Sequence, residues 1–131
     1  MEAASAKMQG RILLVDDEKA VLDVTRMILE HFGFAVLSAK GGAEAVDVFG
    51  KEPGTIDAVV LDLTMPDMSG VDVFRRIRTL RADIPVLFSS GYTSSSVPAE
   101  LNGQPGTDFL QKPYQASALV GKVQALLGPK E

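Results

Sequence analysis

The stretch "VVLDLTMPDMSG", residues 59–70, decides how this chain is read. Val59 to Leu61 are apolar without alternation, the mark of a strand covered on both faces. The run ends on a carboxylate, Asp62. A Met65-Pro66 turn follows, and Ser69-Gly70 opens a segment in which Val73, Ile77 and Leu80 recur at helical spacing. Strand, acid, turn and helix make one unit. Its meaning depends on whether the unit repeats and on what else reaches the same edge.

The unit does repeat. "RILLV" (11–15), "FAVLSA" (34–39), "DAVVL" (57–61), "PVLFS" (85–89) and "DFL" (108–110) are the strand candidates. Helical periods lie between and after them: Val21, Val24, Ile28 and Phe32; Val46 and Phe49; Leu119, Val123 and Leu126. Gly33 and the pair Gly128-Pro129 are helix stop signals. This alternation implies an α/β fold, a single doubly wound five-stranded parallel sheet with helices on both faces. The domain is expected over residues 10–128, with 1–9 a flexible tail or linker end and 129–131 a tail. Residues 91–107, "GYTSSSVPAELNGQPGT", carry two prolines and three glycines where a fourth helix belongs, so that helix is expected to be short or poorly ordered.

Composition narrows the function. The chain has 131 residues, enough for one domain with a real core, and 46% of them are hydrophobic, which argues against disorder. A formal charge of −4 speaks against generic binding to nucleic acid or anionic lipid. Without cysteine there is no disulfide, thiolate nucleophile or cysteine-ligated metal, and a cytoplasmic location is expected. The first ten residues have no apolar core of a signal peptide, and no run approaches the ~18 apolar residues of a membrane helix.

In a parallel sheet all C-terminal strand ends line one edge, where ligands bind. Asp16 and Asp17 follow the first strand, Asp62 the third, Ser89 and Ser90 the fourth, and Lys112-Pro113 the fifth. The second strand ends on Ala39 and Lys40 and brings neither acid nor hydroxyl. Two carboxylates about 4 Å apart repel by roughly 4 kcal/mol at an effective dielectric near 20. Three of them are balanced by one lysine and one divalent cation. An all-oxygen donor set selects a hard ion, and Mg2+ fits best because it leaves room for phosphate oxygens. The rim has the parts of a phosphoryl-transfer site: nucleophile, metal ligands, ammonium and hydroxyl. Taken singly, Asp17 could be a helix N-cap, Asp62 a turn acid and Lys112 a surface residue. It is their joint placement at four strand ends that carries the reading.

At these residues the chain resembles the receiver domain of two-component response regulators. "ILLVDDE" (12–18), "VVLDLTMPDMSG" (59–70), "LFSSGY" (87–92) and "FLQKPY" (109–114) match the family's stretches in order and spacing, over about residues 10–127. "SSGY" and "FLQKPY" most resemble receivers at the C-terminal end of hybrid sensor histidine kinases, so the chain is expected to be either free-standing or a piece of such a kinase. The resemblance implies a flavodoxin-like (βα)5 fold with strand order 2-1-3-4-5. It implies that Asp62 accepts a phosphoryl group from a phosphohistidine on a sensor histidine kinase or histidine phosphotransfer protein. Asp17, Asp62 and the Thr64 carbonyl would ligate Mg2+, with Asp16 acting largely through water. Ser90 would bond the phosphoryl group, and Lys112 would pair with it, held by a cis bond to Pro113.

The resemblance also implies a switch that couples Ser90 to an aromatic on the fifth strand. Here that residue is Phe109, which lacks the hydroxyl of the more common Tyr. The helix after the fourth strand, the fifth strand and the last helix would form the output face, through which a homodimer is an expectation. Thr64 and Tyr92 would tune dephosphorylation, bulky Tyr92 by shielding the acyl phosphate. The domain is expected to catalyse only its own phosphorylation and dephosphorylation, and so not to be an enzyme on a separate substrate. His31, at a helix end, is read as structural, and Glu18, Asp67 and Asp72 as solvated or helix-start charges. A Mg2+-dependent phosphatase is a weaker reading, because Thr64 stands where its second acid belongs. An interaction module that is never phosphorylated is weaker too, because the acidic, hydroxyl and ammonium set is intact.

Overall fold

The structure, a computed structural model, describes residues 10–91, 101 and 103–128. Five strands, β1 (Arg11–Val15), β2 (Ala35–Ala39), β3 (Ala58–Asp62), β4 (Val86–Ser90) and β5 (Thr107–Gln111), form one sheet in the order β2-β1-β3-β4-β5. Every neighbouring pair is parallel. Among the described residues the helices are α1 (Lys19–His31), α2 (Gly42–Lys51), α3 (Gly70–Leu80) and α4 (Ala116–Leu127). This is the doubly wound architecture that the alternation implies, and none of these helices is long and apolar enough to cross a membrane. The expected tails lie outside the described residues, as does most of the expected short helix. Leu101 of that segment is buried in the core.

Period-two alternation sorts the strand residues into two core layers. Leu13, Val15, Val59, Leu61, Val86 and Phe88 pack with Ala45 and Phe49 of α2 and with Val73, Phe74 and Ile77 of α3. Ile12, Leu14, Val60 and Leu87 pack on the opposite side with Leu22 and Leu29 of α1 and with Leu119, Val120 and Val123 of α4. The buried stripe of α1 differs from the sequence expectation. Leu22, Thr25 and Leu29 face the core, whereas Val24 is 56% exposed. Both stripes have helical spacing, and buried Thr25 is tolerated because its hydroxyl meets the Tyr114 hydroxyl at 3.0 Å.

Three strands also run further than their apolar residues suggest. Asp62 and Ser90 are the last residues of β3 and β4, and β5 extends to Gln111. The backbone pairing carries on past the apolar runs: Leu63 N–H donates to Ser89 O at 2.9 Å and Lys112 N–H to Ser90 O at 2.7 Å. The two stop signals act as expected. Gly33 and Gly128 have φ of 99° and 84°, values that favour glycine at helix ends.

Gly70 opens α3 directly beneath the end of β3. A Cβ there would lie 2.7 Å from Leu63 Cα and 2.9 Å from Asp62 O. In an open helix position, Gly→Ala stabilises by about 1 kcal/mol. Here Gly70→Ala is expected to destabilise instead, by about 1–3 kcal/mol through overpacking against backbone. Urea unfolding gives the sign directly.

Candidate functional site

Register builds the site. Val15 of β1 pairs with Leu61 of β3, so the next residue on each chain, Asp16 and Asp62, stand side by side at the C-terminal edge. Both are buried, while Asp17, one step further, is exposed. Oxygen atoms of Asp16, Asp17 and Asp62 all lie within 4.8 Å of one another. Asp17 does not cap α1. The N-cap is Glu18, and Asp16 Oδ1 accepts the Glu18 N–H at 2.9 Å, which fixes the Asp16 carboxylate.

Lys112 enters the same cluster from beyond β5. Its Nζ donates to Asp16 Oδ2 at 2.7 Å and lies 3.6 Å from Asp62 Oδ1. The Lys112–Pro113 peptide is cis. Ser89 and Ser90 are both buried. Ser89 pairs with Asp62, whereas Ser90 pairs with Gln111 and shares a side of the sheet with Phe88 and Phe109. Half-buried Phe109 packs against the α2–α3 core layer. Thr64 N–H donates to Asp62 Oδ1 at 3.2 Å. His31 is exposed at the end of α1, edge-on to Phe32 and apart from this cluster. Tyr92 lies outside the described residues.

The electrostatics follow from burial. Burial pushes the Asp62 carboxyl up to about 6. The Lys112 ammonium and the Thr64 N–H pull it down, and Asp16 and Asp17 push it up again. Burial works against the Lys112 charge, but its bond to Asp16 and the Asp62 charge outweigh burial and raise its pKa. One ammonium cannot neutralise three carboxylates, and the cluster could hold a divalent cation to supply the missing charge. The oxygen-only donors, without a His or Cys in the cluster, fit a hard ion.

Two contacts here carry little signal in the sequence. Tyr114 spans from the loop after Lys112 to Thr25 on α1, and burial is the main cause of its raised pKa. Asp67, expected to be a solvated or helix-start charge, is exposed and serves the start of a different helix, accepting the Gly42 and Ala43 N–H groups of α2. The sequence signal for it is indirect: a helix that opens on Gly41-Gly42 has no cap of its own.

Comparison with known proteins agrees with this geometry. The profile described as "Response regulator receiver domain" matches residues 12–124. The response regulator MprA of Mycolicibacterium vanbaalenii is 36% identical over 120 residues, covering 92% of this chain and 51% of that protein. The chain thus spans about half the length of the curated relatives it matches. Among solved structures, the receiver domain of the hybrid histidine kinase CckA is 35% identical with a TM-score of 0.78, covering 90% of this chain and 99% of that one. The response regulator TrrA of Thermotoga maritima, solved in complex with Mg(2+)-BeF, is 28% identical with a TM-score of 0.76, covering 89% and 98%.

The raised Asp62 pKa fixes the sign of a stability effect. Without metal, the folded state holds the Asp62 proton up to about pH 6, while the unfolded chain releases it near 3.8. Stability is therefore lost as pH rises through that window, by on the order of 3 kcal/mol. Asp62→Asn should be more stable than wild type at pH 7.5 in chelator and should lack this component of the pH dependence. Mg2+ should stabilise the wild type more than the variant, as read by thermal melts at pH 5 and 7.5.

Proposed function

The chain belongs to the response regulator receiver domain family of two-component signalling, and on that premise we propose that Asp62 is its phospho-acceptor. The observation that carries this is the meeting of the Asp16, Asp17 and Asp62 carboxylates with the Lys112 ammonium at one sheet edge. The donor is a phosphohistidine on a sensor histidine kinase or histidine phosphotransfer protein. An Asp62 carboxylate oxygen attacks phosphorus as the P–N bond breaks, and the electron pair leaves on the imidazole nitrogen. Asp17, Asp62 and the Thr64 carbonyl would hold Mg2+, with Asp16 acting through water, and the ion would supply positive charge for the transferring oxygens.

The residues of the chain supply the rest. Lys112, held by Asp16, faces Asp62 and absorbs charge as the phosphoryl group arrives. The acyl phosphate carries about one more negative charge than the carboxylate. Ser90 supplies a hydroxyl to it, and Phe109, on the same side of the sheet, repacks behind Ser90. This shifts the population of arrangements at β5 and α4. Phe109 has no hydroxyl, so the switch here runs on ring packing alone. The domain acts only on its own phosphorylation state, as a cytoplasmic signalling module, either free-standing or within a longer chain.

Intact mass after incubation with Mg2+ and a small phosphodonor tests the reading. The wild type should gain one phosphoryl group, and neither Asp62→Asn nor chelator-treated protein should. Lys112→Met should take up phosphate roughly 10²-fold more slowly. A wild type without adduct or turnover overturns the proposal.

A further inference from the structure

Helix α2 opens on two glycines, and its first N–H groups need an acceptor from elsewhere. Asp67 provides both: Oδ1 accepts the Gly42 N–H and Oδ2 the Ala43 N–H, each at 3.1 Å. The Ala43 and Gly42 bonds hold its carboxyl below the usual range, as suits an anion at the positive end of a helix. The fit is close. A Cβ on Gly41 would lie 3.0 Å from both Asp67 carboxylate oxygens, and one on Gly42 would lie 2.6 Å from Met68 Cβ and 2.8 Å from Val73 Cγ2. Gly41-Gly42 is shaped to receive the Asp67-Met68 corner.

That corner lies in the loop between β3 and α3, which also carries Thr64. The ends of the loop are tied by Leu63 N–H to Ser89 O at 2.9 Å and by Gly70 N–H to Leu63 O at 3.1 Å. Thr64 itself is exposed, between partly buried Leu63 and buried Met65, and its N–H reaches Asp62 Oδ1. Asp67 ties the middle of the loop to a different helix. We infer that Asp67 is a positioning residue for the acceptor site, clamping the 63–69 loop onto the start of α2 so that the Thr64 backbone stays against Asp62. This rests on the reading of Asp62 as acceptor and Thr64 as metal ligand. Asp67 touches no reacting atom.

The test compares Asp67→Ala and Asp67→Asn with Val123→Ala, which loosens the opposite core layer and serves as a control for lost stability. The first readout is amide exchange at Thr64 in the metal-free protein, where Asp67→Ala should accelerate exchange on the order of tenfold. The second is Mg2+ affinity by calorimetry, which should weaken on the order of tenfold. Asp67→Asn, with one accepting oxygen left, should fall between. Asp67→Ala behaving as wild type in both readouts overturns the inference. So does Val123→Ala reproducing both changes, because the effect is then one of stability alone. A wild type that binds Mg2+ but takes no phosphoryl group from a small phosphodonor contradicts the acceptor reading instead, and exchange at Thr64 still decides the role of Asp67.

Discussion

The bridge from the Lys112 ammonium to Asp16 and Asp62 is the contact on which the site depends. Parallel strands deliver acids to one edge, and burial of Asp16 and Asp62 there makes their negative charges costly. One lysine offsets part of that cost and leaves a deficit of positive charge that a divalent cation fits. The deficit is useful. A fully neutralised cluster would be more stable but would attract a cation less. The site trades stability for poise, as strained functional sites commonly do.

The fold supports that poise by register. Asp16 and Asp62 are neighbours because Val15 pairs with Leu61, and Lys112 arrives because its N–H continues the β4–β5 ladder onto Ser90. Below the rim the two apolar layers fix the sheet. Above it the polar residues are fixed one by one: Asp16 by the Glu18 N–H, Asp62 by the Thr64 N–H, and the Lys112 loop by Tyr114 on Thr25. Ser90 and Phe109 share the side of the sheet that packs on α2 and α3.

Sequence reading recovered the elements that physics repeats along the chain. Apolar runs, helical periods and glycine stops gave the strands, the described helices and the cluster of residues at the strand ends. It was less accurate where a residue's role depends on a distant partner. The buried stripe of α1 contains Thr25, which periodicity passes over in favour of Val24 because a threonine is tolerated there only with Tyr114 opposite. Asp67 looked like a local charge because its partners, Gly42 and Ala43, are far away in sequence. The strands end one residue beyond the legible runs, at Asp62 and Ser90, since a polar side chain hides backbone pairing that continues beneath it.

The central claim is that burial and uncompensated charge leave Asp62 poised between proton, metal and phosphoryl group. Carbon-detected NMR of the Asp62 side-chain carboxyl across pH reads this most directly. Without metal, the account requires a midpoint near 6 that moves up when Lys112 is replaced by Met and falls when Mg2+ is added. A midpoint in the ordinary aspartate range, indifferent to both Lys112 and Mg2+, would contradict it.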